Sequence, residues 1–345
     1  MNTAPRDHPE FRAEALRLSG ERATRARTLD VFDPYTGTRV GTVPLASIDD
    51  VRAAFDYALA YRPTLSRYER SQILERAAVL LRERIEPASD LISLESGLSK
   101  QDSRYEIGRV ADVFRFASFE ALRDDGQSFS CDLTPHGNRR RVFSQREPLA
   151  GVIVAITPFN HPMNQVAHKV APAIATNNRV VLKPSEKVSL SALYLADLLY
   201  EAGLPAPMLQ VLTGDPREIA DELVTHASVE LVTFTGGVAV GKYIATKVGY
   251  RRVVLELGGN DPLIVLDDAG PRARGDACGA RLVQELGAAL HGGQADARAT
   301  RRRGGIHGAG RRKDARVDVR RSVRCVESDG HRDRRRRRAA VRGAR

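Results

Sequence analysis

Four short segments between residues 150 and 260 concentrate the residue types from which a reactive site could be built. They are ITPFNHP (Ile156 to Pro162), VLKPSE (Val181 to Glu186), FTGGVAVG (Phe234 to Gly241) and LELGGNDP (Leu255 to Pro262). FTGGVAVG has the most direct physical reading. It follows a β-branched run and opens a helical one, so its glycines let backbone N–H groups approach a pyrophosphate at the positive end of a helix. It is not the G-x-G-x-x-G fingerprint. The other segments offer an amide (Asn160), a lysine and a carboxylate three residues apart (Lys183, Glu186) and a carboxylate before a glycine pair (Glu256). Singly, each has an ordinary explanation: a turn former before His-Pro, a solvated lysine, a surface or paired carboxylate. Gly258 and Gly259 are equally readable as a plain turn. The three cysteines, Cys131, Cys278 and Cys325, fit no zinc or disulfide spacing, which points to a reducing compartment.

The elements that must position these segments are visible in the periodicity. Asp50 to Tyr61, Arg70 to Arg84 and Ser189 to Ala202 carry apolar residues at helical spacing. Short β-branched runs alternate with helices at Gly151 to Ile156, Val180 to Leu182, Leu209 to Leu212, Val229 to Phe234 and Pro262 to Leu266. Strand, helix, strand at this spacing predicts βαβ units, a parallel sheet and an α/β fold. Ser128 to Arg146 departs from that pattern and predicts two strands around a Pro-His-Gly-Asn turn, with Cys131 structural within it.

A chain of 345 residues with 42% hydrophobic content suggests two domains of ordinary size around a real core. The N-terminal stretch is charged throughout, and no apolar run approaches the ~18 residues of a membrane span, so a cytoplasmic protein is expected. The net charge of +11 is unevenly placed: residues 271–345 carry +14 and residues 1–270 carry −3. All 19 Phe and Tyr residues precede residue 270, and Ile306 is the single isoleucine beyond it. Such a segment cannot offset its own ordering entropy, so 270–345 is expected to be a disordered, Arg-rich tail.

The order and spacing of the four segments, after REPL at Arg146 to Leu149, resemble the aldehyde dehydrogenase superfamily from about residue 28 to 268. The resemblance implies a Rossmann-like NAD-binding domain formed by 1–128 and 147–258. It also implies a β-hairpin oligomerisation segment at 129–146 and the first strand of a catalytic domain at 259–269. In the family a cysteine thiolate attacks the aldehyde, hydride passes to NAD or NADP, and an activated water hydrolyses the thioester. By resemblance, Asn160 donates to the oxyanion and Glu256 activates the water. Lys183 and Glu186 would hold the adenosine ribose hydroxyls, with Glu186 favouring NAD+ because a carboxylate repels a 2′-phosphate. Ile156, Thr157, Pro158, Phe159, Ser185, Phe234, Thr235, Gly236, Gly237 and Leu257 complete the implied cofactor contacts. The family usually has serine where Gly237 stands.

The forms CDLTPHG, ITPFNHP and LELGGNDP are most similar to the branch that oxidises phosphonoacetaldehyde to phosphonoacetate. That implies a small anionic aldehyde as partner, with Arg109 and His161 as candidate contacts to its charge. A surface salt bridge is the competing role for Arg109. Non-phosphorylated small aldehydes and glyceraldehyde 3-phosphate stay open as substrates. No metal site, membrane contact or specific nucleic-acid partner is expected. A stand-alone nucleotide-binding protein whose basic tail holds nucleic acid is the alternative from another class, weakened by the lack of aromatics for stacking. Family members form dimers or tetramers through the hairpin and a strand near the C-terminus; this chain, without that strand, is not expected to.

The family's nucleophile lies in a GQ-x-C segment a little over thirty residues beyond the base, and no such segment follows Glu256 here. Back-translating Gly270 to Ala295 and reading from the second base yields DLARAVTRAAHGSSRNSGQRCTAVK, which is family-like and contains the cysteine. Its codon straddles those of Leu290 and His291. Arg320 to Asp333 gives GDPFDVSSRMGTVI in the same frame. One extra base near the Gly270 codon accounts for both, and the chain as written is expected to be inactive.

Overall fold

Helix starts in the first half of the chain are written locally. Ser47 caps α1 (Ile48–Ala60) in a reciprocal box with Asp50, and Ser66 does the same with Glu69 for α2 (Arg67–Glu83). Helix α3 (Ile85–Ser96) ends on Gly97 at φ +73°, a left-handed cap that suits glycine. Ser99 caps α4 (Lys100–Leu122) through the N–H of Asp102. The expected helices at Asp50 to Tyr61 and Arg70 to Arg84 are α1 and α2, each starting a few residues earlier at its serine cap.

The computed structural model describes residues 7–124 and 126–259. Before α1 lie β1 (Asp7–Ala13), β2 (Leu16–Leu18), β3 (Glu21–Ala23), β4 (Thr28–Phe32) and β5 (Arg39–Pro44). After α4 come the hairpin strands β6 (Gln127–Ser130) and β7 (Arg141–Ser144). Then β8 (Val152–Ile156), α5 (Asn164–Ala175), β9 (Val180–Lys183), α6 (Leu190–Glu201), β10 (Leu209–Val211) and α7 (Pro216–Thr225) alternate. The described chain closes with β11 (Val229–Thr235), α8 (Val238–Lys247) and β12 (Arg252–Glu256). All of these belong to the unit Met1–Leu257. The expected strand Pro262 to Leu266, the Arg-rich segment, Cys278, Cys325 and the Leu290–His291 codon pair lie outside the described residues.

Seven strands form one sheet in the order β12-β11-β8-β9-β10-β2-β3. The first five run parallel, and β2 and β3 extend the sheet antiparallel beside β10. Strands β2 and β3 are too short to show periodicity, and only their pairing makes them strands. β1, β5 and β4 form a separate three-stranded sheet. As expected, β6 and β7 pair antiparallel around the Pro135 to Asn138 turn, where Gly137 N–H donates to the Thr134 carbonyl at 2.9 Å.

Strand β8 is buried along both faces, the mark of a central parallel strand. Val152 and Val154 join a core with Val181, Val232, Phe234, Phe55 of α1, Leu223 of α7 and Ile244 of α8. Ile153 and Ala155 alternate to the other face, and α5 packs on β8.

Candidate active site

The register of the parallel strands brings the four separated segments into one row. Across β8 and β9, Ile156 lies beside Lys183; across β11 and β8, Phe234 lies beside Ile156; across β11 and β12, Thr235 lies beside Glu256. Each of these residues is at or next to the carboxyl end of its strand. From β8 the chain moves through α5 to β9 on one side and returns only at β11 to occupy the other. The row therefore sits at the topological switch point of the sheet, the crevice where open α/β sheets bind ligands.

Beyond β8, the Thr157 N–H donates to the Lys183 carbonyl at 3.2 Å, tying the first two segments together. Thr157 is buried, and its Oγ1 has no hydrogen-bond partner. Pro158 and Phe159 follow half-buried, with the Lys187 ammonium 4.9 Å from the centre of the Phe159 ring. Asn160 makes no side-chain hydrogen bond among the described residues, and its Oδ1 is buried without a partner. An amide held this way is available to a ligand.

Lys183 is buried beside Glu186 at 3.5 Å and donates to the Pro184 carbonyl at 3.1 Å. Burial holds its ammonium below the usual lysine range, and the Glu186 carboxylate opposes that shift. Lys183 is the last residue of β9, which runs one residue beyond the expected strand Val180 to Leu182. Buried Ser185 accepts the Lys187 N–H through its Oγ at 3.3 Å.

Gly236 N–H donates to the Glu256 carbonyl at 3.0 Å, which locks the third segment onto the fourth. A Cβ at Gly236 would meet the Phe234 ring at 2.6 Å, and one at Gly241 would meet Leu257 at 2.3 Å. A side chain at either position would have to displace one of these neighbours, the Phe234 ring at Gly236 and the end of the Leu257 side chain at Gly241. Gly237 differs: it is the N-cap of α8 at φ −66°, a Cβ there meets nothing within 4 Å, and no side chain caps the helix. The start of α8 thus faces open space with its positive end, as an anion site requires.

The candidate anion contacts, Arg109 and His161, do not touch each other. Arg109 is exposed on α4, its guanidinium 6.0 Å from the Tyr105 ring centre, and no carboxylate pairs with it among the described residues. The surface salt bridge weighed for it is absent there. His161 Nδ1 faces Glu106 Oε2 at 3.4 Å, one turn earlier on α4. Burial holds His168 of α5 below the usual histidine range, and the charge of Arg109 adds to the effect.

Among the buried ionisable residues that the sequence pattern does not mark, Lys169, Glu106 and Glu95 contact the site segments. Lys169 donates to Thr233 Oγ1 at 3.0 Å and Thr235 Oγ1 at 2.9 Å. Burial pushes it down to about 8, while Glu256 pulls the other way. Glu106 and Glu95 accept backbone N–H groups at the starts of α5 and α6. A lysine or glutamate inside an amphipathic helix looks like a solvated side chain, and only the packing shows which ones turn inward. Cys131 is a half-buried free thiol in the hairpin, its N–H donating to the Arg140 carbonyl at 3.0 Å. No group of three or more His, Cys, Asp or Glu among the described residues could hold a metal ion. No helix there is long and apolar enough to cross a membrane.

The sequence model of the aldehyde dehydrogenase family matches residues 21–288. The chain belongs to that family. This aldehyde dehydrogenase chain is 42% identical over 255 residues to 3-sulfolactaldehyde dehydrogenase of Priestia aryabhattai, covering 74% of this chain and 53% of the relative. Its fold is similar to the crystal structure of NADP-dependent glyceraldehyde-3-phosphate dehydrogenase from Bacillus halodurans C-125 complexed with NADP. That similarity has a TM-score of 0.73 at 36% identity, over 78% of this chain and 58% of that one. An NAD-dependent aldehyde dehydrogenase from Sinorhizobium meliloti gives a TM-score of 0.72 at 35% identity, over 80% and 57% of the two chains. The aldehyde dehydrogenase chain thus spans about half the length of the curated relatives it matches.

Proposed function

We propose that the described residues form the dinucleotide-binding half of an aldehyde dehydrogenase that uses NAD, with NADP possible, to oxidise a small aldehyde with an anionic tail. The observation that carries this reading is the convergence of Ile156, Lys183, Thr235 and Glu256 on one row at the switch point of the sheet. The residues fit a dinucleotide. Gly237 leaves the start of α8 open for phosphates, the buried Lys183 with Glu186 suits ribose hydroxyls, and the buried Oδ1 of Asn160 is left without a donor, so its amide is not committed to a protein partner. Bound NAD(P)+ would supply the hydride acceptor.

The chain's own residues divide the remaining work. Asn160 donates to the oxygen on which negative charge develops, an interaction gained in the transition state. Glu256 takes the proton of the hydrolytic water. Lys169, near Glu256 and anchored by two threonine hydroxyls, supplies a cation on that side of the row. Arg109, with no carboxylate partner among the described residues, and His161 are the groups offered to the substrate's anion. Among the relatives, one is named for a sulfonated aldehyde and one for a phosphorylated aldehyde, which supports an anionic substrate here. A phosphonate such as that of phosphonoacetaldehyde has the same charge chemistry.

No thiolate is placed at the row by the described residues, and Cys131 is on the hairpin. The chain as written therefore binds cofactor and does not turn over, and one extra base near the Gly270 codon displaced the nucleophile from the reading frame. The test is a fluorescence titration of the full chain with NADH and NADPH. Saturable binding that K183A weakens at least tenfold is expected, together with no NADH formation from NAD+ and any aldehyde. Failure of both nucleotides to bind would overturn the cofactor reading, and turnover would overturn the inactivity.

A further inference from the structure

Three helices begin at the row of site residues, and none has a side-chain cap of its own: α5, α6 and α8. Helices α1, α2, α4 and α7 do have one, while α3, which begins away from the row, has none. Helix α8 is open toward the anion site. The other two are capped from a distance. Glu106 of α4 accepts the N–H groups of Met163 and Asn164 on a single oxygen, both at 2.9 Å. Its second oxygen faces His161. Glu95 of α3 accepts the Leu190 N–H at 2.8 Å and the Ser191 N–H at 2.9 Å, one on each oxygen.

Both carboxylates are almost wholly buried, at 1% exposure for Glu106 and 2% for Glu95. Burial raises Glu95 to about 7; the hydrogen bonds from Ser191 and Leu190 oppose the rise, and the neighbouring charge of Glu106 adds to it. A local Ser or Asp cap would satisfy the same N–H groups without burying a carboxylate. What a remote cap adds is location. A local cap ties a helix start only to its own loop, whereas Glu95 and Glu106 tie two loops to the α3–α4 pair, itself joined by Ser93 and Ser103 at 2.9 Å. The loop entering α5 carries Asn160 and His161. The loop entering α6 carries Ser185 and Glu186, and Ser189 Oγ donates back to the Ser185 carbonyl at 2.8 Å.

We propose that Glu106 and Glu95 are paired positioning residues: Glu106 sets the Asn160 segment and Glu95 sets the Lys183–Glu186 segment, both against α3 and α4. This rests on the cofactor reading above. The two oxygen patterns make the isosteric variants differ. In E106Q the amide carbonyl can still accept both N–H groups, whereas in E95Q an NH2 group must face a backbone N–H. E106D keeps the charge but withdraws it by one methylene.

The experiment titrates the full-length variants with NADH, and with AMP by competition against NADH, beside thermal melting. Expected are E106Q within threefold of wild type for both ligands, E106D at least tenfold weaker for NADH with AMP unchanged, and E95Q about tenfold weaker for both. General damage would lower the melting temperature and weaken both ligands in E106D, whereas positioning weakens NADH alone there; for E95Q the control is a melting temperature close to that of wild type. Should E106D not fold, the contrast between an unchanged E106Q and a weakened, folded E95Q decides the matter. Folded E95Q with wild-type affinity, or E106Q weakened as much as E95Q, would overturn the proposal. If wild type itself bound no nucleotide, the cofactor reading would fall and this inference with it. Wild-type affinity in the variants overturns the inference alone.

Discussion

Gly237 is the residue whose chemistry departs most clearly from its family's habit, and its surroundings tolerate the family's serine. Its φ of −66° needs no glycine and its Cβ direction is open. G237S should therefore cap α8, worth a few tenths of a kcal/mol over glycine. It should also add one hydroxyl donor to the bound phosphate. A hydrogen bond to a charged group contributes ~1.5 kcal/mol, so NADH affinity should rise about tenfold in a calorimetric titration. An unchanged affinity would show that the phosphate does not reach the start of α8. Gly236 and Gly241 are the contrasting cases, since a Cβ at either meets a side chain closer than 3 Å.

At the scale of elements, the capping of α6 couples its stability to pH. Glu95 is raised to about 7 from an ordinary 4.5, so its contribution is fully present below pH 4.5 and is lost as pH rises through 7. The loss is on the order of 3 kcal/mol. Lys169, held down at about 8, stays mostly charged in both states below that pH. His168, held below the usual histidine range, acts in the opposite sense within pH 5 to 7.5 but is common to wild type and E95Q, so the comparison of the two isolates Glu95. Urea unfolding should show wild type losing stability across this window and E95Q losing much less. Equal slopes would remove Glu95 as the cause. The sequence announces the caps of α1, α2 and α4, because Ser-x-x-acid is a local pattern. It does not announce Glu95 or Glu106, whose partners are 95 and 57 residues away.

At the scale of the whole molecule, the change of character after residue 270 sets the outcome. The chain before it carries a net −3 and every aromatic, whereas the rest carries +14. Resequencing across the codons for Leu266 to Ala273, with the intact mass of the expressed protein, tests the extra base. A product of 37.8 kDa from a gene that retains the base should be inactive. Removal of that base should give NADH formation with phosphonoacetaldehyde or a sulfonated aldehyde. R109A in the repaired chain should then raise KM for the anionic aldehyde about tenfold, the scale of one charge-assisted hydrogen bond, with little change for an uncharged one.

By itself the sequence determined the strands β8, β9, β10 and β11, helix α6, the start of α8, the hairpin and the four segments that hold the site. Those are written in periodicity, turn chemistry and residue spacing, which act over a few residues. The tertiary structure decided the strand order that sets Glu256, Thr235, Ile156 and Lys183 side by side. It also decided the inward turn of Lys169, Glu95 and Glu106, and the lack of a carboxylate beside Arg109 among the described residues. Sheet register and the burial of a charge depend on partners far along the chain, and local pattern carries no record of them.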